Sequence, residues 1–339
     1  MRTLGLDIGG ANTKAADADG PARSLAFPLW EQPDRLTEAL SELISRFPAP
    51  DRFAVTMTGE LADCFRTKAE GVDRILTAVE TVADGRPIVV WQTGAEFVSP
   101  EVAREIPLLV AAANWHALAT WVGRILPKAS FAILIDIGST TTDLIPLTNG
   151  VPTPVGLTDT ERLCACELVY TGVRRTPIVA LAHQVPWRDG TCPLAAELFA
   201  TTNDLYILTG DLPEDETDTD TANNRPATRE ASIDRLARML CADTTEVTPD
   251  EIESLASHLS QTQAEQIAAA IDRVLQAQNQ VPTHVLTSGS GSFLAERVVE
   301  SHPQLQGCER IDLARMFADR ISEAACAFAV ARLAIERDV

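Results

Sequence analysis

Two short segments of the sequence carry the same combination of residues, and that combination suits a phosphate-binding site. The segments are Asp7–Lys14 (DIGGANTK) and Asp136–Asp143 (DIGSTTTD), each placed at the end of an apolar run. Glycine permits a tight turn that exposes several backbone N–H groups together, and such a turn can bind an anion. A carboxylate at the end of a buried strand can hold a divalent cation. Two such turns facing each other would bind a polyphosphate and its metal between two related domains.

The turn residues of the two segments are the candidate phosphate ligands. They are Gly9, Gly10, Asn12, Thr13, Lys14, Gly138, Ser139, Thr140 and Thr141. Asp7 and Asp136 are the candidate Mg²⁺ ligands, because hard cations prefer carboxylate oxygen. Asp143 could join the metal site or act as a general base. Lys14 could reach a phosphate oxygen, and exposure to solvent is an equally good interpretation.

Further polar candidates follow a short apolar strand predicted at 53–57. Ligands bind at the carboxyl ends of strands in open α/β sheets, so Glu60 and Asp63 could bind a cation or accept a proton. Interaction with the N-terminus of the next helix is the alternative. Asn114 lies on a buried helix predicted at 110–126, where it could contact a ligand or make a structural hydrogen bond.

Two adjacent arginines and a serine–glycine segment complete the set of candidates. Arg174 and Arg175 would point in opposite directions in an extended chain, so only one can readily face a ligand. A guanidinium suits a diphosphate or a carboxylate, whereas a surface ion pair is the expected role of the other. The candidates for nucleotide or substrate binding are Ser288, Gly289, Ser290 and Gly291.

Composition limits the class of protein. The 339-residue chain is 45% hydrophobic and 22% charged, with a formal net charge of -20, and its length suits two globular domains. The negative charge disfavours broad contact with nucleic acid or an anionic membrane. No apolar run approaches the roughly 20 residues of a membrane span, and the first predicted strand leaves no room for a signal peptide. We therefore expect a cytoplasmic protein that binds neither nucleic acid nor membrane.

The predicted elements repeat in two domains, 1–128 and 129–339. Strands of the first domain are predicted near 2–8, 13–19, 23–27, 53–57 and 87–91, and its helices near 33–44, 69–83 and 110–126. Strands of the second domain are predicted near 131–137, 140–147 and 283–287, and its helices near 229–241, 249–278 and 311–336. An acidic loop at 211–230 in the second domain could be mobile. The pattern predicts an α/β fold with duplicated sheet-and-helix domains around a central cleft.

Three motifs resemble those of the superfamily that contains acetate and sugar kinases, heat-shock chaperone ATPases and actin. Asp7–Lys14 and Asp136–Asp143 resemble its two phosphate motifs, and Leu286–Gly291 (LTSGSG) resembles its adenosine motif. They occur in the superfamily order. The resemblance implies a two-domain, actin-like ATPase fold of the ribonuclease H-like type, with Mg²⁺ as the expected metal and a third motif at which ATP could bind.

A narrower resemblance extends over nearly the whole chain. Thr56–Asp63 (TMTGELAD), Ala113–Trp115 (ANW) and Glu167–Pro177 (ELVYTGVRRTP) are similar to the hydantoinase/oxoprolinase-related proteins of the tetrahydromethanopterin-linked one-carbon pathway. The resemblance implies a transferase of methanofuran biosynthesis. That reaction joins an aminomethyl-furan methanol diphosphate to the phenol of γ-glutamyltyramine, forms an aryl ether and releases diphosphate without a requirement for ATP. Glu60 would deprotonate or orient the phenol.

Two other functions stay open at this point. A small-molecule kinase or a hydantoinase/oxoprolinase-type ATP hydrolase would form ADP in dependence on an acceptor. A nucleotide-sensing or scaffold protein would bind nucleotide tightly without turnover. In the leading hypothesis the partner is a small-molecule phosphate ester, and a homodimer is an assembly that the sequence allows.

Overall fold

A six-stranded sheet forms the core of the first part of the chain. The computed structural model describes residues 1–128, 130–317 and 324–337. The strands are β1 (Thr3–Ile8), β2 (Asn12–Asp17), β3 (Ala22–Ala26), β4 (Arg52–Met57), β5 (Ile88–Gln92) and β6 (Glu96–Val98). Their order is β3-β2-β1-β4-β5-β6. The pairs β1–β2 and β2–β3 are antiparallel, whereas β1–β4 and β4–β5 are parallel. Both faces of β1 and β4 are buried, as expected for central strands.

Helices cover this first sheet. They are α1 (Leu36–Ser45), α2 (Lys68–Ala83), α3 (Pro100–Glu105), α4 (Pro107–Val110) and α5 (Asn114–Val122), with 3₁₀ turns at Pro33–Arg35 and Gly123–Ile125. Thr67 caps α2 by accepting a hydrogen bond from the backbone of Glu70, and Asp84 ends it in the left-handed conformation. Leucine, isoleucine and valine side chains of α1 and α2 pack against β1 and β4 in one hydrophobic core.

The second sheet repeats the plan of the first. Its strands are β7 (Phe131–Ile137), β8 (Thr142–Thr148), β9 (Val151–Pro152), β10 (Leu168–Val169), β13 (His284–Ser288) and β14 (Glu309–Asp312). The order β8-β7-β13-β14 has the same directions as β2-β1-β4-β5, since β7–β8 is antiparallel and β13 runs parallel to β7 and β14. A separate hairpin contains β11 (Gln184–Trp187) and β12 (Gly190–Pro193). The predicted α/β class with duplicated sheets is confirmed.

The helices of the second part are more numerous. They are α6 (Asp159–Cys164), α7 (Ile178–Leu181), α8 (Thr202–Thr209), α9 (Arg229–Arg238), α10 (Pro249–Gln278), α11 (Ser292–Ser301), α12 (Leu313–Phe317) and α13 (Ala325–Glu336). The 30-residue α10 begins with a capping box between Thr248 and Glu251. Its apolar face packs with α8, α9 and α11 around the largest core of the described residues.

Two predicted helices differ from the structure. The single helix predicted at 311–336 was wrong, because Glu309–Asp312 forms β14 beside β13. Of the rest of that range, 318–323 lies outside the described residues, and α12 and α13 are helical. A strand this short is fixed by pairing with a distant strand, which periodicity does not reveal. The helix predicted at 110–126 begins only at Asn114, since Ala112 adopts a φ of 48° that a right-handed helix cannot contain.

The last helix returns to the first sheet. α13 packs against β1, β2, β4 and α5. A Cβ atom built on Gly5 would lie 1.9 Å from the backbone oxygen of Ala327, so this approach requires glycine at position 5. α13 belongs to the second of the two predicted domains, whose boundary stays a prediction, and it joins the two parts of the chain through a buried contact.

Replacing Gly5 with alanine is expected to lower the free energy of unfolding by about 2–4 kcal/mol, because backbone atoms of α13 cannot yield as a side chain could. Urea denaturation followed by circular dichroism measures the change. Gly307→Ala is the matched control, since no atom lies within 4 Å of a Cβ built there. Equal stability of the two variants would show that α13 shifts at little cost.

Candidate functional site

The two glycine segments form matching hairpins. In the first hairpin (Asp7–Lys14) the Gly9 N–H donates to the Asn12 carbonyl oxygen at 3.0 Å, and in the second hairpin (Asp136–Asp143) the Gly138 N–H donates to the Thr141 oxygen at 2.8 Å. Asp7 lies opposite Lys14 in the strand register, and Asp136 lies opposite Asp143. The two turns therefore have the same backbone geometry, with a lysine in one at the position of an aspartate in the other.

Electrostatic effects connect the two hairpins. Burial, followed by repulsion from Asp143, raises the pKa of Asp136 to about 7, while Lys14 lowers it and Asp7 raises it further. Burial also raises the pKa of Asp7, against the attraction of Lys14. Residues of the first hairpin thus act on a carboxylate of the second. In the structure Asp7, Lys14 and Asp143 all lie close enough to Asp136 to change its pKa, and their roles as ligands stay predictions.

Sequence reasoning missed two residues of this group. Thr56 on β4 lies in register with Asp7, and neither its hydroxyl nor Oδ1 of Asp7 has a hydrogen-bond partner within the described residues. The signal was present, because Thr56 starts the motif that leads to Glu60. Cys326 on α13 is buried, and after burial the carboxylates of Asp7 and Asp136 raise its pKa most. No local pattern could place α13 there.

Two loops pack directly on the second hairpin. The N–H groups of Arg174 and Arg175 both donate to the Ser139 carbonyl oxygen at 3.0 Å. The Gly291 N–H donates to the Ile137 oxygen at 2.8 Å, and Gly289, with a φ of 89°, would bring a Cβ within 2.2 Å of the same oxygen. The predicted Ser288–Gly291 segment therefore lies against the hairpin, with Ser288 in register with Asp136.

Asp143 has a fixed cationic partner that the sequence did not indicate. Arg162, only 1% exposed, donates from Nη2 to Oδ1 of Asp143 at 2.7 Å and to the Glu167 carbonyl oxygen at 3.0 Å. Its guanidinium lies over the Trp115 ring, 3.9 Å from the centroid. Burial raises the pKa of Asp143 and Arg162 lowers it. Arg162 thus orients Asp143, whose role as metal ligand or base stays a prediction.

Glu60 occupies a buried position beside the first hairpin. The preceding residues, Thr58 and Gly59, donate backbone hydrogen bonds to the Ile8 oxygen at 2.9 and 3.0 Å. The Glu60 side chain is 1% exposed, and in the part of the chain that the structure describes its Oε2 has no hydrogen-bond partner. Burial raises its pKa to about 7. Such a carboxyl group can exchange a proton near neutral pH.

The surroundings of Glu60 come from both parts of the chain. Lys68 lowers its pKa and Asp159 raises it, and these two residues form an ion pair of 3.4 Å between α2 and α6. A backbone hydrogen bond from Ala112 also lowers the pKa of Glu60. Asn114 begins α5 nearby in sequence, and its Oδ1 accepts from the Trp115 N–H at 2.8 Å. Asp63 is exposed.

No group of three or more His, Cys, Asp or Glu side chains in residues 1–128, 130–317 and 324–337 has the arrangement of a metal site. Among the helices in these ranges, none combines the length and hydropathy needed to cross a membrane.

A family model described as hydantoinase/oxoprolinase matches residues 51–337. The chain belongs to the hydantoinase/oxoprolinase family. A relative from Methanocaldococcus jannaschii is 33% identical over 333 residues, which cover 97% of this chain and 96% of the relative. That relative is a (4-{4-[2-(γ-L-glutamylamino)ethyl]phenoxymethyl}furan-2-yl)methanamine synthase. A synthase of the same name from Methanococcus vannielii is 36% identical over 124 residues, 37% of this chain and 55% of its own.

Solved structures support the fold of this family member. A nucleotide-free structure of acetone carboxylase aligns with a TM-score of 0.57 at 10% identity, over 98% of this chain and 70% of its own. That similarity concerns the fold alone. An archaeal actin homologue covers all of both chains at 11% identity, with a TM-score of 0.48 that is too low to support an argument.

The buried Glu60 generates a stability prediction. Its pKa in the folded protein, about 7, exceeds the ordinary value of 4.5, so the folded state loses its proton later than the unfolded state as pH rises. Stability therefore falls between about pH 4.5 and 7, and the full cost is present above pH 7. Glu60→Gln is expected to increase stability at pH 8 by about 1–3 kcal/mol, with little change at pH 4.

Urea denaturation at both pH values measures this effect. Glu105→Gln is the control, because Glu105 is exposed and its removal should change stability by less than about 0.5 kcal/mol. Destabilisation by Glu60→Gln of equal size at pH 4 and pH 8 would mean that the carboxylate makes a structural interaction.

Proposed function

We propose that the protein joins the phenol of γ-glutamyltyramine to the methylene carbon of an aminomethyl-furan methanol diphosphate and releases diphosphate. The observation that carries this proposal is the similarity, at 33% identity over 97% of the chain, to a synthase whose name describes such an ether. In that named product a phenoxymethyl group links a furan-methanamine to a γ-glutamylaminoethyl chain. The C–O bond of the phenoxymethyl group is the bond that we assign to this enzyme.

The proposed reaction balances without an oxidant or ATP. The phenol gives up its proton, its oxygen bonds to the furan-methyl carbon, and the bond from that carbon to diphosphate breaks. Diphosphate leaves with the electron pair, while the furan ring shares the positive charge that develops on carbon. The largest demand on the protein is therefore to stabilise charge on the leaving group.

The two hairpins suit that task. Their turns present backbone N–H groups, and Lys14 supplies a positive charge that lowers the pKa of both Asp7 and Asp136. These carboxylates fit Mg²⁺, because they are hard oxygen donors and Oδ1 of Asp7 has no hydrogen-bond partner in the described parts of the chain. When bound, the ion would neutralise charge on diphosphate. The N–H groups of Gly9 and Gly138 close the hairpins, so the other N–H groups of the two turns and the hydroxyl groups of the second turn would hold phosphate oxygens.

Glu60 is the proposed base. A general base works best when its pKa lies near the operating pH, and the pKa of Glu60 is raised to about 7. Its backbone follows directly on the contact with Ile8 in the first hairpin. A proton taken from the phenol would also satisfy the buried carboxylate, which is costly to keep charged without a partner.

The alternative is an ATP-dependent kinase or a hydantoinase/oxoprolinase-type hydrolase. The Ser288–Gly291 segment favours it, because in the resemblance this is the adenosine motif and it lies against the second hairpin. ATP is not needed in the leading proposal. A cytoplasmic location and a homodimer stay predictions.

Asp7→Asn and Asp136→Asn are each expected to lower the rate at least about 10²-fold, because each removes a metal-facing negative charge. Exhaustive chelation should have the same effect on the unaltered protein, and Mg²⁺ should restore activity. Asp34→Asn is the control, since Asp34 is 90% exposed in a surface pair with Arg74. Near-normal rates for both site variants would remove the metal from the proposal.

The decisive experiment follows products by mass spectrometry. Protein, Mg²⁺, the furan-methyl diphosphate and γ-glutamyltyramine are mixed without nucleotide. One diphosphate is expected for each ether formed, because a single substitution releases both. Acceptor-dependent formation of ADP with transfer of a phosphoryl group would instead establish the kinase alternative.

A further inference from the structure

A charged cluster lies beside the second hairpin. Arg174 and Arg175 are fixed there by their backbone hydrogen bonds to Ser139. The Arg174 guanidinium forms an ion pair with Asp218. The Arg175 guanidinium lies 3.7 Å from a carboxylate oxygen of Asp220. We call these four charged residues the arginine–aspartate cluster.

Asp218 and Asp220 of the cluster belong to the acidic loop at 211–230, which contacts buried residues of the second part of the chain. Arg235 is fully buried and forms a 2.6 Å ion pair with the buried Asp204. The same guanidinium donates to the Pro226 carbonyl oxygen at 3.3 Å and to Oδ1 of Asn223 at 3.1 Å. The Asp215 N–H also donates to the Ala227 oxygen at 2.9 Å. These contacts hold the backbone of the predicted loop against the rest of the second part of the chain.

An aromatic ring from the first part of the chain covers the cluster. The Arg175 guanidinium lies 5.0 Å from the centroid of the Trp30 ring. Trp30 is positioned by the first hairpin, because the preceding Leu29 N–H donates to the Gly10 oxygen at 2.8 Å. The cluster and Trp30 therefore connect the two hairpins, and Arg175 is the arginine that faces the first part of the chain.

The charges of the cluster indicate which kind of ligand it can bind. Residues 211–230 contain seven acidic and two basic side chains, so they would repel a diphosphate. A zwitterion fits better, since a guanidinium can bind its carboxylate and an aspartate can bind its ammonium. In the proposed reaction, on which this step rests, the α-amino acid end of γ-glutamyltyramine is such a zwitterion.

We infer that the arginine–aspartate cluster binds the α-amino acid end of the acceptor substrate. Arg175 exchanges its long contact with Asp220, which is 71% exposed, for the substrate carboxylate. Asp218, held by Arg174, accepts a hydrogen bond from the substrate ammonium. Trp30 contacts the apolar chain between the amino acid and the phenol. The diphosphate stays at the glycine turns, so the two substrates occupy separate charged sites.

Calorimetry with three ligands tests the inference without turnover. The ligands are γ-glutamyltyramine, N-glutaryltyramine, which lacks the α-ammonium, and N-(4-aminobutyryl)tyramine, which lacks the α-carboxylate. Each deletion is expected to weaken binding about 10- to 100-fold, because each removes a charge-assisted hydrogen bond. Equal affinity for all three would overturn the inference.

Variants assign each charge to a residue. Asp218→Asn should weaken γ-glutamyltyramine about 10-fold or more and leave N-glutaryltyramine unchanged. Arg175→Gln should weaken γ-glutamyltyramine similarly and leave N-(4-aminobutyryl)tyramine unchanged. Neither should change the affinity for inorganic diphosphate. The controls are Glu38→Gln and Arg35→Gln, which remove an exposed surface pair.

Two contrary results would overturn the assignment. Loss of diphosphate affinity in Arg175→Gln would place the leaving group at the cluster, and equal weakening of all three ligands would mean a structural role. Failure of the proposed reaction is a different result. If the three ligands bind in the expected order but no ether forms, the cluster binds the amino acid end and the proposed reaction is wrong. If ether forms but the three ligands bind equally, the reaction is right and the role of the cluster is wrong.

Discussion

Repulsion between buried carboxylates is the constraint on which the site depends. Asp7 and Asp136 lie near the ends of central strands of different sheets. Asp143 and Asp7 both raise the pKa of Asp136, and burial raises the pKa of both Asp7 and Asp136. Two negative charges that are buried close together are stabilised when a positive charge binds near both of them. Lys14 meets part of this need, and a cation that arrives with its anionic ligand would meet the rest. The same repulsion that disfavours the isolated site therefore favours its loaded form.

The duplicated hairpins share a backbone but differ in charge. Asp7 faces Lys14 across the strand pair, whereas Asp136 faces a second carboxylate, Asp143. The Asp136–Asp143 pair is tolerated because Arg162 forms an ion pair with Asp143. The Arg162 guanidinium also lies over the ring of Trp115, a residue of the first part of the chain. Two hairpins of the same fold thus carry different arrangements of charge. A substrate that carries its charge at one end can be oriented by such a difference.

Much of this site could be predicted from local sequence patterns. The rest depends on contacts between residues that are far apart in the chain, which such patterns do not reveal. The hairpins, Asp7, Asp136 and the nearby Glu60 follow from glycine turns at strand ends, which a sequence displays directly. Arg162 and Cys326 reach the site only through tertiary packing, and no residue pattern around them signals a carboxylate nearby. The error at 311–312 has the same origin. There, pairing with β13 overrides an apolar pattern that continues into α12, since short edge strands depend on their neighbours.

The contact between Gly5 and Ala327 has a consequence for how the chain is made. Ala327 follows Gly5 in the chain by more than 300 residues, so during synthesis β1 lacks the helix that covers it until those residues have been made. At roughly 5–20 residues per second this interval lasts on the order of tens of seconds. During that time one face of the first sheet is open to other apolar partners. Stable packing of the first sheet therefore waits until α13 has been made and has docked.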